Sequence, residues 1–74
     1  MPEAPPPRDL RAEVIDLHAR SQPLTGDFSG ANLGGLDLRG LDARDAILME
    51  ANFRGANLTG AKLDGATLRT ADFL

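Results

Sequence analysis

The sequence predicts a solenoid, a chain winding in short equal sides, entered through one amphipathic helix. The first observation is a period of five. From Phe28 onward every fifth residue is large and apolar with one exception, in the series Phe28, Leu33, Leu38, Ala43, Leu48, Phe53, Leu58, Leu63, Leu68 and Phe73. The second is a companion position two residues earlier: Gly26, Ala31, Leu36, Leu41, Ala46, Ala51, Ala56, Ala61, Ala66 and Ala71, mostly small. A period of five fits neither the two-residue alternation of a strand nor the 3.6-residue turn of a helix, so the chain must coil to bury it. The third is a change of pattern before the repeats, where Leu10, Val14 and Leu17 form the stripe of an amphipathic helix, with Ile15 beside them.

In chain order, residues 1–7 form a flexible lead, because its prolines lack the donor and restrict the residues before them. Residues 8–20 are the helix. Asp9 and Glu13 suit its amino end and Arg20 its carboxyl end, and Asp16 with Arg20 makes an i, i+4 pair worth about 0.3 kcal/mol. A free helix of this length is marginal in water and needs something to pack on. The first coil offers that surface, since a repeat array exposes apolar cross-sections at its ends. Leu10, Val14, Ile15 and Leu17 are therefore read as a cap, with service to a partner protein as the alternative. Residues 21–25 are the linker, and 26–74 the repeats.

Ala51-Asn52-Phe53-Arg54-Gly55, Ala56-Asn57-Leu58-Thr59-Gly60 and Ala61-Lys62-Leu63-Asp64-Gly65 resemble the A(D/N)LXX unit of the pentapeptide repeat family. The resemblance implies an all-β solenoid, a right-handed quadrilateral β-helix with four repeats per coil, which over residues 26–74 makes about two and a half coils behind the N-terminal capping α-helix read above. On that register the coils are 26–45, 46–65 and a half-coil 66–74, about 12 Å tall at β spacing. Leu33, Phe53 and Phe73 share one inward column, where two phenyl rings can stack, and Asn32, Asn52 and Asp72 form an outward ladder. Asp42 falls under Lys62 and Arg44 under Asp64, pairs expected to pin register at about 0 to 1 kcal/mol each. Leu41 and Ala43 read as a volume-conserving swap within one repeat, and Leu36 as added bulk at the cap.

The chemistry-bearing residues do not assemble into a site. His18, the single histidine, lies on the helix with no nucleophile near it, and reads as a surface residue. Asp37, Asp42, Asp45 and Asp64 fall on outward positions interleaved with Arg39, Arg44 and Lys62. A calcium-binding roll would need acidic residues at a different period, and a leucine-rich repeat would need a second copy after 20 to 29 residues. The reading is therefore not an enzyme, with no catalytic, metal or cofactor residues. Net charge is −3 with both signs mixed, which argues against a nucleic-acid partner. No apolar run approaches a membrane span or a signal segment, so a cytoplasmic protein with no membrane partner is expected.

Two functional classes remain. One is a structural or protein-interaction module, forming a homodimer or a longer assembly through its carboxyl-terminal end. There Leu58, Leu63, Leu68, Phe73 and Leu74 form the expected interface, and no second cap is legible, so further repeats or a partner would cover them. Ile47 and Met49 are a second exposed apolar patch, either surface noise or a contact. The other class comes from the resemblance: some pentapeptide repeat proteins mimic duplex DNA and bind type II topoisomerases such as gyrase. A stack of this height would need about seven unbalanced acidic groups to match a duplex. Residues 26–74 hold seven acidic and five basic side chains, so the interaction module is the favoured expectation.

Overall fold

The computed structural model describes residues 8–73. The expected lead, 1–7, and Leu74 of the expected interface lie outside the described residues. Helix α1 spans Leu10–Ala19. Asp9 caps it, its Oδ1 accepting from the Ala12 N–H at 3.0 Å, so one of the four unpaired amino-terminal donors is satisfied. At the other end Ser21 adopts φ 57°, the Ser21 N–H reaches the His18 carbonyl at 3.0 Å, and the Gln22 N–H reaches the Leu17 carbonyl at 2.8 Å. This is a Schellman motif, closed by a serine where glycine is the usual residue. Asp9 and Arg20 are thus caps of a helix one residue shorter at its carboxyl end, and two at its amino end, than the segment 8–20.

The helix lies on the first coil. Val14 is fully buried, and Leu10 and Leu17, four before and three after it, share its face and pack on the core. Ile15 departs from its expected place in the cap: it is 46% exposed, because one residue of helix turns it about 100° away from Val14.

Past the linker, the backbone returns on itself every twenty residues. Parallel bridges join Asp27 to Ile47, Asn32 to Asn52, Asp37 to Asn57, Asp42 to Lys62, Ile47 to Thr67 and Asn52 to Asp72. Four five-residue sides therefore make one turn of the coil. Each side contributes one bridged residue, so among the described residues there are isolated bridges and no continuous strand. A tight turn explains this. The N–H of each small inward residue bonds the carbonyl of the large inward residue three before it, as Ala31 to Phe28 at 3.1 Å and Ala56 to Phe53 at 3.0 Å. The third residue of each such turn has positive φ, as a type II turn requires, and glycine occupies most of these places. Asp45, Glu50 and Thr70 stand there instead, at φ 63°, 60° and 54°.

The coils are joined with a fixed polarity. The large inward residue and the residue two after it donate N–H upward, as Leu33 to the Asn52 carbonyl at 2.7 Å and Gly35 to the Arg54 carbonyl at 2.8 Å. The residue before the large inward one donates downward, as Asn52 to the Ala31 carbonyl at 2.9 Å. Each side thus presents two donors and one acceptor to the coil above, and two acceptors and one donor to the coil below.

The core is the stack of inward residues. Phe28, Leu33, Leu38, Leu48 and Phe53 are at most 2% exposed, with Ala31, Leu41, Ala43, Ala46 and Ala51 among them. Phe53 and Phe73 stack with centroids 5.0 Å apart and rings 2° from parallel. Leu24, assigned to the linker by its spacing, is fully buried and donates its N–H to the Asp42 carbonyl at 2.8 Å. That bond sets Leu24 below the side carrying Leu41 and Ala43, so a residue from outside the repeat period adds volume to the column whose large position is filled by Ala43.

Candidate interaction surface

The outward position before each large residue is Asx-rich for a local reason. Asp27, Asn32, Asp37, Asp42, Asn52 and Asn57 each accept the N–H of the residue two ahead, from 2.9 to 3.3 Å, fixing the entry to the turn. The same alternation places i and i+2 on one face, where charged side chains meet. Arg39 forks onto Asp37 at 2.8 and 2.8 Å, and Arg44 onto Asp42 at 3.0 and 2.9 Å. Asp42 therefore pairs along its own side with Arg44, correcting the expected pairing with Lys62, which acts on it only as a weaker, more distant charge. The Arg44 guanidinium and N–H hold the Asp42 carboxyl down at about 2. Asp37 is lowered by Arg39 in the same way.

Between coils, Asn52 Nδ2 donates to Asn32 Oδ1 at 3.3 Å, and Arg54 Nε meets Asp72 Oδ2 at 2.9 Å. The amide ladder is thus completed by an ion pair at its upper rung. Gly34 stands beside it because a Cβ there would come within 3.2 Å of the Arg54 carbonyl and 3.4 Å of Asn32 Oδ1.

His18 lies on a polar cleft of about 290 Å3 with Ser21, Gln22, Arg39, Gly40, Asp42 and Lys62. Arg39 and Asp42 are already held in ion pairs, and the cleft lies open between helix and coil. Among the described residues no three His, Cys, Asp or Glu side chains gather as metal ligands would, and no helix is long and apolar enough to cross a membrane.

The carboxyl-terminal end is different in kind. Leu58, Leu63 and Leu68 are only half-buried, and Phe73 is 49% exposed although it occupies a large inward position. In the same columns Leu38, Ala43, Leu48 and Phe53 are at most 1% exposed. Around these side chains the upward-facing N–H groups of Leu58, Gly60, Leu63, Gly65, Leu68, Thr70 and Phe73 have no backbone acceptor among the described residues. The structure thus gathers Leu58, Leu63, Leu68 and Phe73 on one surface. Ile47 and Met49 lie apart from it on the side of the second coil, Ile47 half-buried between Asp27 and Thr67 in its bridged column and Met49 38% exposed.

The amino-terminal end shows what sequence reasoning missed. Arg8 Nη1 donates to the Asp27 carbonyl at 3.1 Å, and its guanidinium lies 5.2 Å from the Phe28 ring centroid. Arg11 Nη1 donates to both the Asn32 and Gly34 carbonyls at 3.0 Å. Backbone carbonyls leave no mark in a sequence, so only the two basic residues on the coil-facing part of the segment hinted at this.

The family model described as pentapeptide repeats (8 copies) matches the chain over two overlapping stretches, residues 27–65 and 37–73. The chain belongs to the pentapeptide repeat family. The matched span takes in every bridge and the whole outward Asx series, while α1 and Leu24 lie before it. No curated protein and no solved structure matches this pentapeptide repeat chain.

Proposed function

We propose that this pentapeptide repeat protein is a non-enzymatic protein-interaction module, a right-handed quadrilateral β-helix capped by α1, that associates through its carboxyl-terminal coil end. The exposure of Phe73 together with the half-burial of Leu58, Leu63 and Leu68 carries this reading. Large apolar side chains sharing one end with unpaired backbone donors are what a stacking partner covers. The DNA-mimic reading draws less support, because Asp37, Asp42 and Asp72 are each neutralised by an arginine at 2.8 to 2.9 Å. Ile47 and Met49 are too small a patch to compete.

Sedimentation of the full chain from micromolar to hundreds of micromolar tests the proposal. Self-association that Phe73→Asp weakens at least tenfold, by placing a charge in the covered surface, is the expected result. A chain that stays monomeric throughout, even when Val14→Asp displaces α1, overturns it.

A further inference from the structure

The two ends of the coil have opposite hydrogen-bonding polarity. Every bond between successive coils obeys the same rule, two N–H groups up and one N–H down per side, from Phe28 to Ile47 through Phe53 to Asp72. The upper edge among the described residues therefore offers the N–H groups of Leu58, Gly60, Leu63, Gly65, Leu68, Thr70 and Phe73. Against these stand only the carbonyls of Ala56, Ala61, Ala66 and Ala71. The lower edge of the first coil is the complement, rich in carbonyls.

Four of those lower carbonyls, on Asp27, Asn32, Gly34 and Asp42, are occupied from outside the repeats. Arg11 Nη1 binds the Asn32 and Gly34 oxygens, which are the two positions that a preceding coil would reach with two backbone N–H groups. Arg8 takes the Asp27 oxygen and the Leu24 N–H takes the Asp42 oxygen. Arginine, a donor with no acceptor, is the side chain this edge calls for. The linker and the arginines of α1 and its entry thus imitate the donor-rich top of a coil, while Val14, Leu10 and Leu17 imitate its apolar interior.

Two copies meeting top to top by a two-fold axis would bring fourteen upper-edge donors to eight acceptors, leaving N–H groups unpaired in a closing interface. A copy stacked head to tail, its carbonyl-rich lower edge on the donor-rich upper edge, reproduces the native coil-to-coil bonding on each side. We infer that association at the Leu58–Phe73 end is head to tail with a second copy, and that α1 is an autoinhibitory cap that must leave the first coil before that copy can be received. This rests on the reading of that end as the interface. A heterologous contact of this kind does not close, so the uncapped chain extends into open stacks.

The test uses the full chain and compares Arg11→Ala, Arg11→Lys and Val14→Asp with the unsubstituted protein by sedimentation and small-angle scattering. Arg11→Ala lowers the concentration needed for association by at least roughly tenfold and carries the average mass beyond twice the 7.8 kDa protomer, with elongated particles. Val14→Asp does so more strongly, and circular dichroism follows whether the coil survives in it. Arg11→Lys, which keeps a donor but loses the fork, falls between. Adding Phe73→Asp to Arg11→Ala returns the monomer. A closed dimer whose strength and shape ignore Arg11 overturns the head-to-tail inference and leaves the interface reading standing. Absence of any association in every variant overturns both.

Discussion

At the first coil, Leu33 is fully buried and its side is closed from below by α1, with Arg11 on the Asn32 and Gly34 carbonyls. At the last, Phe73 occupies the same column two coils higher, stacks on Phe53, and is half open to solvent. The residues filling the two ends are chemically alike. What differs is the cover, and with it the fraction of apolar surface that folding removes from water. An inward side chain in this fold is therefore worth what lies above and below it, and its place in the five-residue unit alone does not set its contribution.

The largest test of that contrast is truncation at one repeat position in successive coils. Leu38→Ala, in a fully enclosed place, costs about 2 to 5 kcal/mol, whereas Leu58→Ala, directly above it in the open coil, costs clearly less. Chemical denaturation giving equal losses would break the comparison. Next in size is Gly65→Ala. Gly65 has φ 74°, so alanine there brings left-handed strain of about 1 to 2 kcal/mol, while the Asp45 Oδ1 that its Cβ would meet is the end of an exposed side chain that can swing aside. Asp45→Gly relieves strain of its own at φ 63°, and with the Asp45 carboxylate free to move, a double-mutant cycle with Gly65→Ala gives only a small coupling.

Much of this was legible because the interior sizes the side chains. The five-residue period, the Phe53–Phe73 stack and the Asn32–Asn52 rung follow from residues that repeat at fixed intervals, and the structure brings them together as spacing requires. Leu24 escaped because it enters the core four residues before Phe28, off the period, from a segment that reads as a linker. Asp42 was assigned to the wrong cation because vertical neighbours are conspicuous in a twenty-residue register, while Arg44, two residues along the same side, is nearer in space. The arginine contacts of the cap were invisible because their partners are main-chain oxygens. Ile15 was placed with the cap by proximity in sequence, and helical rotation carries it outward.

Smaller effects sharpen the account of the covered end. Ser21→Gly removes a side chain from φ 57° in the Schellman motif and raises stability by up to about 1 kcal/mol in thermal denaturation. Smallest is the response to acid. Asp42 has its pKa lowered to about 2 by Arg44, and Glu13 is lowered by Arg8. A carboxyl with a depressed folded-state pKa contributes fully above its unfolded value, near 3.9 for Asp, and loses that contribution as pH falls through the folded one. Stability therefore declines between about pH 4 and pH 2. Asp42→Asn keeps an acceptor for the Arg44 N–H, changes stability at pH 7 only slightly, and flattens that acid limb in pH-dependent melting.

Amide hydrogen exchange at one repeat position tests the contrast between covered and uncovered coils most directly. Phe28, Leu33, Leu38, Ala43, Leu48 and Phe53 each donate N–H to the coil above at 2.7 to 2.9 Å, while Leu58, Leu63, Leu68 and Phe73 sit in the identical place with no such bond among the described residues. In dilute solution the first six amides should exchange only through global unfolding and the last four through local opening, orders of magnitude faster. Equal protection along the whole series would contradict a coil that is closed below and open above.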